Sequence, residues 1–165
     1  METVVRPWRV EDRCAVLALS AELQDHERAL RPSLRPGAAI TDAYVAALEA
    51  RLARLGEDGA LLVAEAADGA VLGLATCFVA TDELEQEQRL VRIEDLVVTG
   101  TARRCGIGRA LLAEAGRFAR RRGIRRLVLS VLESNHEAAA AYHAAGFRSV
   151  RRTLERWLDA APSAS

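Results

Sequence analysis

Apolar positions along this chain switch between a two-residue and a three-to-four-residue repeat, and the switches mark its elements. Thr3 to Arg9 reads as a short strand, with Pro7 suited to an edge. From Glu11-Asp12 onward Cys14, Leu17, Leu19 and Leu23 recur at helical spacing, until the polar break Arg31-Pro32-Ser33-Leu34-Arg35-Pro36-Gly37. A second helix is predicted behind the capping residues Thr41-Asp42, carrying Tyr44, Leu48, Leu52 and Leu55, and stopping at Gly56-Glu57-Asp58-Gly59. Ala60 to Ala66 and Val71 to Ala80 form an apolar hairpin about Asp68-Gly69. The acidic stretch Thr81 to Gln88 leads into a strand over Leu90 to Val98. A helix then runs to about Arg122, closed by Gly123. Leu127 to Leu132 reads as a buried strand, His136 to about Ala145 as a helix closed by Gly146, and Phe147 to Leu158 as a last strand.

This order predicts an α/β (α+β) fold: a single domain over residues 1–159, followed by a flexible tail over 160–165. Its central sheet is expected to be mixed and mostly antiparallel, with about six or seven strands and about four helices covering both faces. Strands on either side of a helix are expected to be parallel.

Composition narrows the class. Half of the 165 residues are apolar and only 4% aromatic, so Ala, Leu and Val must build the core. The 23 basic residues, all arginine, balance 23 acidic ones. Zero net charge offers no global field for nucleic acid or an anionic membrane, and the lack of lysine removes lysine Schiff-base chemistry. Cys14, Cys77 and Cys105 form neither a disulfide framework nor a metal-ligand spacing, and no metal is expected. With no signal-peptide core and no run near the ~20 residues that span a bilayer, a cytoplasmic protein is expected.

The strongest chemical signal is Arg103-Arg104-Cys105-Gly106-Ile107-Gly108, set between the Leu90–Val98 strand and a helix start. Helix N-termini leave unpaired N–H groups with a partial positive charge, glycines allow close backbone approach, and arginines add charge-assisted bonds. A pyrophosphate is the expected guest. A dinucleotide turn would need a third glycine where Leu111 stands, and a phosphate loop would need Gly-Lys-Ser/Thr in a chain without lysine.

What fits is R-x-x-G-x-G, and the match extends from about Val5 to Arg156. Ile93-Glu94-Asp95-Leu96-Val97-Val98, Arg103-x-x-Gly106-x-Gly108-x-x-Leu111-Leu112, and Asn135 with Ala139, Tyr142 and Ala145-Gly146-Phe147 stand in the order and spacing of the GNAT superfamily of N-acetyltransferases. The chain resembles that superfamily, most closely its spermidine/spermine acetyltransferase branch. The resemblance implies acetyl-coenzyme A as cofactor. It places the pantetheine arm along the backbone of Leu96, Val97 and Val98, and the pyrophosphate on the amides of Arg103, Arg104, Cys105, Gly106, Ile107, Gly108 and Arg109. Cys105 departs from the Gly, Lys or Arg common at its position; a backbone-mediated contact is expected to survive that change.

Amine acetylation needs a neutral amine, a polarised thioester carbonyl and a proton for the departing thiolate. Glu94 is the candidate base, since an apolar strand would bury it and raise its pKa; pairing with an arginine such as Arg92 is the structural alternative. Asp95 should face the other way in a regular strand. The resemblance makes Tyr142 the general acid and has Asn135 bond the cofactor arm, compatible with an N-cap role. A backbone N–H near Val98 is expected to orient the carbonyl. His26, His136 and His143 read as surface residues, Cys77 as core, and Trp8, Tyr44 and Trp157 as packing residues. The resemblance assigns the acceptor pocket to Glu22–Pro36 and Asp82–Glu87. A small-molecule amine such as a polyamine or an amino-acid-like compound is the expected acceptor. A peptide or protein N-acetyltransferase and a non-catalytic acyl-CoA sensor remain as alternatives, and a homodimer is common in the resembled family.

Overall fold

Strand β2 (Gly59–Ala66) shows how the pattern becomes a layered fold. Its Leu61 and Val63 pack with one cluster of core residues and its Leu62 and Ala64 with another, so alternate side chains feed opposite faces of a sheet. The structure, a computed structural model, describes residues 2–156. The remaining elements are β1 (Thr3–Pro7), α1 (Arg13–Leu30), α2 (Thr41–Leu55), β3 (Val71–Thr81), β4 (Arg89–Val98), α3 (Ile107–Arg120), β5 (Leu127–Leu129) and α4 (His136–Ala144). The strands lie in the order β1-β2-β3-β4-β5; β4 and β5, which flank α3, are parallel and the other pairs antiparallel. Helices α1 and α2 cover one face through Val16, Leu19, Val45 and Leu48. Helix α3 covers the other through Ile107, Leu111, Ala115 and Phe118.

The class stands as expected, and the strand count falls to five among the described residues. Residues 147–156 carry no strand. The predicted last strand does not form: β5, at that edge of the sheet, offers only Leu127–Leu129 instead of reaching Leu132, and the arginine-rich segment lies exposed. Ion pairs of Arg152 with Glu133 (3.1 Å) and Arg31 with Glu155 tie it down. Trp157, Leu158 and the predicted tail over 160–165 lie outside the described residues. Thr41 does not cap α2: a 3₁₀ turn at Gly37–Ala39 precedes the helix, and the Thr41 hydroxyl donates back to the Gly37 carbonyl (2.7 Å). Among the described residues, no helix is long and apolar enough to cross a membrane.

Candidate active site

Two irregularities in β4 make the site. The first is a bulge. Ala75 of β3 pairs with Leu96 and Cys77 with Ile93, so Glu94 and Asp95 together oppose Thr76. Residues of like parity therefore part company: Val91 and Ile93 join the α3 core, Val97 the α1/α2 core. The second is a splay. Strand β5 pairs with β4 only at Val91, Arg92 and Ile93, leaving the edge from Glu94 to Val98 without a partner strand on that side.

Into this opening project the next turns of chain. After Val98 a 3₁₀ turn (Gly100–Ala102) and two left-handed residues, Arg104 (φ 62°) and Gly106 (φ 82°), reverse the backbone into α3. Gly106 is the N-cap, so the first amides of α3 open toward the splayed edge. From α1, Glu22 accepts the Gly100 N–H (2.7 Å) and lies 3.5 Å from Arg103, whose Nε donates to the Val98 carbonyl (3.3 Å). On the far wall Asn135 accepts the Ala138 N–H (3.1 Å) and caps α4, which carries Tyr142.

The resulting cleft has a volume of about 330 Å³, within the usual range for small-molecule sites. It gathers every residue expected to hold the cofactor or to act as acid or base except Cys105, which is exposed and outside the lining. A Cβ built on Gly108 would touch nothing nearer than Val98 Cγ2 at 3.9 Å and Leu96 Cδ2 at 4.0 Å, and one on Gly106 would meet nothing within 4 Å. Space, orphan amides and the arginines 103, 104 and 109 together suit the pyrophosphate and pantetheine of acetyl-CoA.

A second cavity, of about 100 Å³, lies under α1 and α2. Leu23, Glu27 and Glu94 line both cavities and so stand at the boundary between them. Here the sequence expectation needs correction. Glu94 is not buried: its side chain is 31% exposed and pairs with Arg51 of α2 (2.6 and 3.0 Å), whose guanidinium stacks on Phe78. Burial falls on Asp95, which the bulge brings to the same cavity instead of the opposite face. Its carboxylate accepts from Thr76 (2.8 Å) and Tyr44, while its N–H donates to Thr76 Oγ1 (2.9 Å). Desolvation raises the Asp95 pKa against these bonds. Burial, then the Asp95 charge, pushes the Tyr44 phenol up. Tyr44 thus lines this cavity instead of serving as a packing residue, whereas Trp8 packs on the α1/α2 core as expected.

Glu27 is the residue the sequence did not single out, although it falls in the segment expected to line the acceptor pocket. Burial raises its pKa, with a further push from Asp95 and an opposing pull from His26. The Tyr142 phenol is also raised, by burial first and by Glu27 second; its ring meets Phe147 edge-on at 6.1 Å. The acidic stretch 82–87 lines neither cavity: it precedes the opposite end of β4, where Asp82 (3.3 Å) and Glu85 (3.2 Å) hold Arg126.

Known proteins resemble this chain in sequence and in fold. The profile of the Acetyltransferase (GNAT) family matches residues 22–147. A protein of Oryza sativa subsp. japonica named probable glucosamine 6-phosphate N-acetyltransferase 2 is 31% identical over 143 residues, covering 83% of this chain and 84% of its own. The streptothricin acetyltransferase of Streptomyces lavendulae is 41% identical over 100 residues, 56% of this chain and half of that protein. In fold, the tetramutant of the BH1408 protein from Bacillus halodurans superposes with a TM-score of 0.79 at 22% identity, covering 94% of this chain and 99% of that one.

Proposed function

We propose that this chain, which belongs to the GNAT acetyltransferase family and is an acetyl-CoA-dependent N-acetyltransferase, acts on a small cationic primary amine by direct attack on the thioester. The observation that carries this reading is the junction of the two cavities at Leu23, Glu27 and Glu94. An amine in the smaller cavity would meet a thioester delivered along the splayed edge of β4. Three carboxylates, Glu27, Glu94 and Asp95, line the smaller cavity, and no arginine or histidine does. A cationic amine is matched by such a wall, and a phosphate group is repelled by it.

The chain's own residues supply the steps. Amides at the start of α3, with Arg103, Arg104 and Arg109, hold the diphosphate; the open edge at Leu96, Val97 and Val98 pairs the pantetheine arm. The helix-capping Asn135 faces the same arm. A backbone N–H near Val98 polarises the carbonyl, a junction carboxylate takes the amine's proton, and Tyr142 protonates the departing thiolate.

The test is acetyl-CoA consumption with spermidine, glucosamine, glucosamine 6-phosphate and streptothricin. The expected result is turnover of spermidine or streptothricin, and of glucosamine ahead of its 6-phosphate. Preference for glucosamine 6-phosphate, the substrate named for the rice relative, would overturn the cationic reading. Turnover of a peptide amine and of none of these four would move the protein to the peptide class.

A further inference from the structure

We propose that Glu27, on α1, takes the proton shed by the attacking amine, and that Glu94 under the clamp of Arg51 holds the incoming ammonium in place. This rests on the small-amine reading of the junction. Only two groups shared by both cavities can bind a proton, Glu27 and Glu94. Their surroundings separate them. Both oxygens of Glu94 engage Arg51, at 2.6 and 3.0 Å, and Phe78 holds that guanidinium from beneath, 3.6 Å from its centroid. With both oxygens already engaged by Arg51, Glu94 is held in one orientation on the wall between the cavities, as a positioned carboxylate.

Glu27 has the opposite setting. Among the described residues its carboxylate accepts no hydrogen bond and joins no ion pair, and the residue is half-buried. The charged and titratable groups that line a cavity with it are His26 on its own helix, Glu94 and Asp95 on β4, Tyr44 on α2, Arg103, Arg104 and Arg109 in the glycine loop and first turn of α3, and Glu137 and Tyr142 on α4. Of these, Asp95 raises its proton affinity and His26 lowers it. Across the cleft, the Tyr142 phenol senses Glu27. The two walls α1 and α4 therefore present a proton acceptor and a proton donor to one opening.

The step balances. Glu27 takes one proton from the ammonium; the nitrogen lone pair forms the C–N bond as the C–S bond breaks. Tyr142 gives its proton to the thiolate and recovers one from the nitrogen as the amide forms. Glu27 then releases its proton to water, leaving amide, free thiol and one proton.

Glu27→Gln, Glu27→Asp and Glu94→Gln are compared with the wild type, using whichever of the four amines above the wild type turns over fastest. Near neutral pH, Glu27→Gln should lower kcat by about 100-fold or more while leaving the acetyl-CoA Kd unchanged. Its rate should then climb about tenfold per pH unit, because only amine already deprotonated in solution reacts. Glu27→Asp should recover part of the loss. Glu94→Gln should raise KM and keep the acidic limb of the wild-type profile. If Glu27→Gln retains the wild-type kcat and pH profile, or if Glu94→Gln abolishes the acidic limb, the proton acceptor is not Glu27 and the small-amine reading still stands. If the wild type acetylates none of the four amines, that reading falls, and the role of Glu27 with it.

Discussion

Replacing Gly108 by alanine separates ligand binding from folding at one position. Gly108 is the second residue of α3 and needs no left-handed backbone; the Cβ added there would make ordinary contacts at 3.9 Å with Val98 and 4.0 Å with Leu96. The fold therefore loses nothing. Alanine is favoured over glycine within helices by about 0.8–1 kcal/mol, so stability should hold or rise, by at most roughly 2–4 °C in Tm. The methyl group nevertheless lies in the cleft, between the side chains of the splayed β4 edge and the amides expected to hold the diphosphate. Displacing a phosphate from one charge-assisted hydrogen bond costs about 1.5–3 kcal/mol, which corresponds to roughly a 10- to 150-fold weaker Kd. Calorimetric titration with coenzyme A and a thermal melt measure the two quantities independently. Gly106→Ala is the contrast: with φ at 82° it should cost about 1–2 kcal/mol of stability as well. A Gly108→Ala variant with wild-type affinity would refute the cradle. One that lost affinity and melting temperature together would make Gly108 a packing residue instead.

Three further expectations can be checked. Tyr142→Phe keeps the edge-on contact with Phe147 and should leave acetyl-CoA affinity intact while lowering kcat by about 100-fold; an unchanged kcat across pH would remove Tyr142 from the chemistry. Because burial and Glu27 raise the phenol, the wild-type alkaline limb should lie above the ordinary tyrosine range, and Tyr142→Phe should lack it. Asp12 is buried and held below the usual carboxylate range by the Arg6 guanidinium, at 2.7 and 2.9 Å. Its contribution is therefore full above that range and lost as pH falls through the lowered value. Asp12→Asn should cost on the order of 3 kcal/mol at neutral pH, and the gap to wild type should close in acid; a gap independent of pH would refute the assignment.

The parts of the site that lie close together along the chain were legible in the sequence. Leu90 to Val98, the glycine loop and the start of α3 form one continuous stretch, whose period change and glycines mark the cleft where the structure has it. Features made by tertiary contact were not. Arg51 reaches Glu94 from 43 positions upstream, and nothing in either neighbourhood signals that pair. Tyr44 reads as one more apolar position of α2, and only the fold sets its hydroxyl on Asp95. Glu27 sits among charged neighbours that read as a solvated helix face until α1 closes over β4. The last strand failed for the reverse reason: from Phe147 onward the large apolar residues Phe147, Val150 and Leu154 stand three and four apart, without the two-residue repeat of a half-buried strand, and β5 offers only three residues to pair with.

The bulge opposite Thr76 is what turns a sheet into a site. In a regular strand, Asp95 and Val97 would follow Ile93 toward α3, and of the two acids only Glu94 would face α1 and α2. The extra residue changes the side to which the second half of β4 points. Val97 enters the α1/α2 core, and Leu96 and Val98 pack toward α3 beside the cradle. Glu94 and Asp95 are both left at the smaller cavity. Such a bulge strands polar groups, and here the stranding is answered locally: Thr76, fully buried, donates to the Asp95 carboxylate and accepts from its N–H. The same bend carries β4 away from β5 after Ile93, leaving the edge a pantetheine arm requires. One inserted residue thus shapes the carboxylate wall of the smaller cavity, the open edge of β4 and the boundary between them, the surfaces proposed above for acceptor and donor.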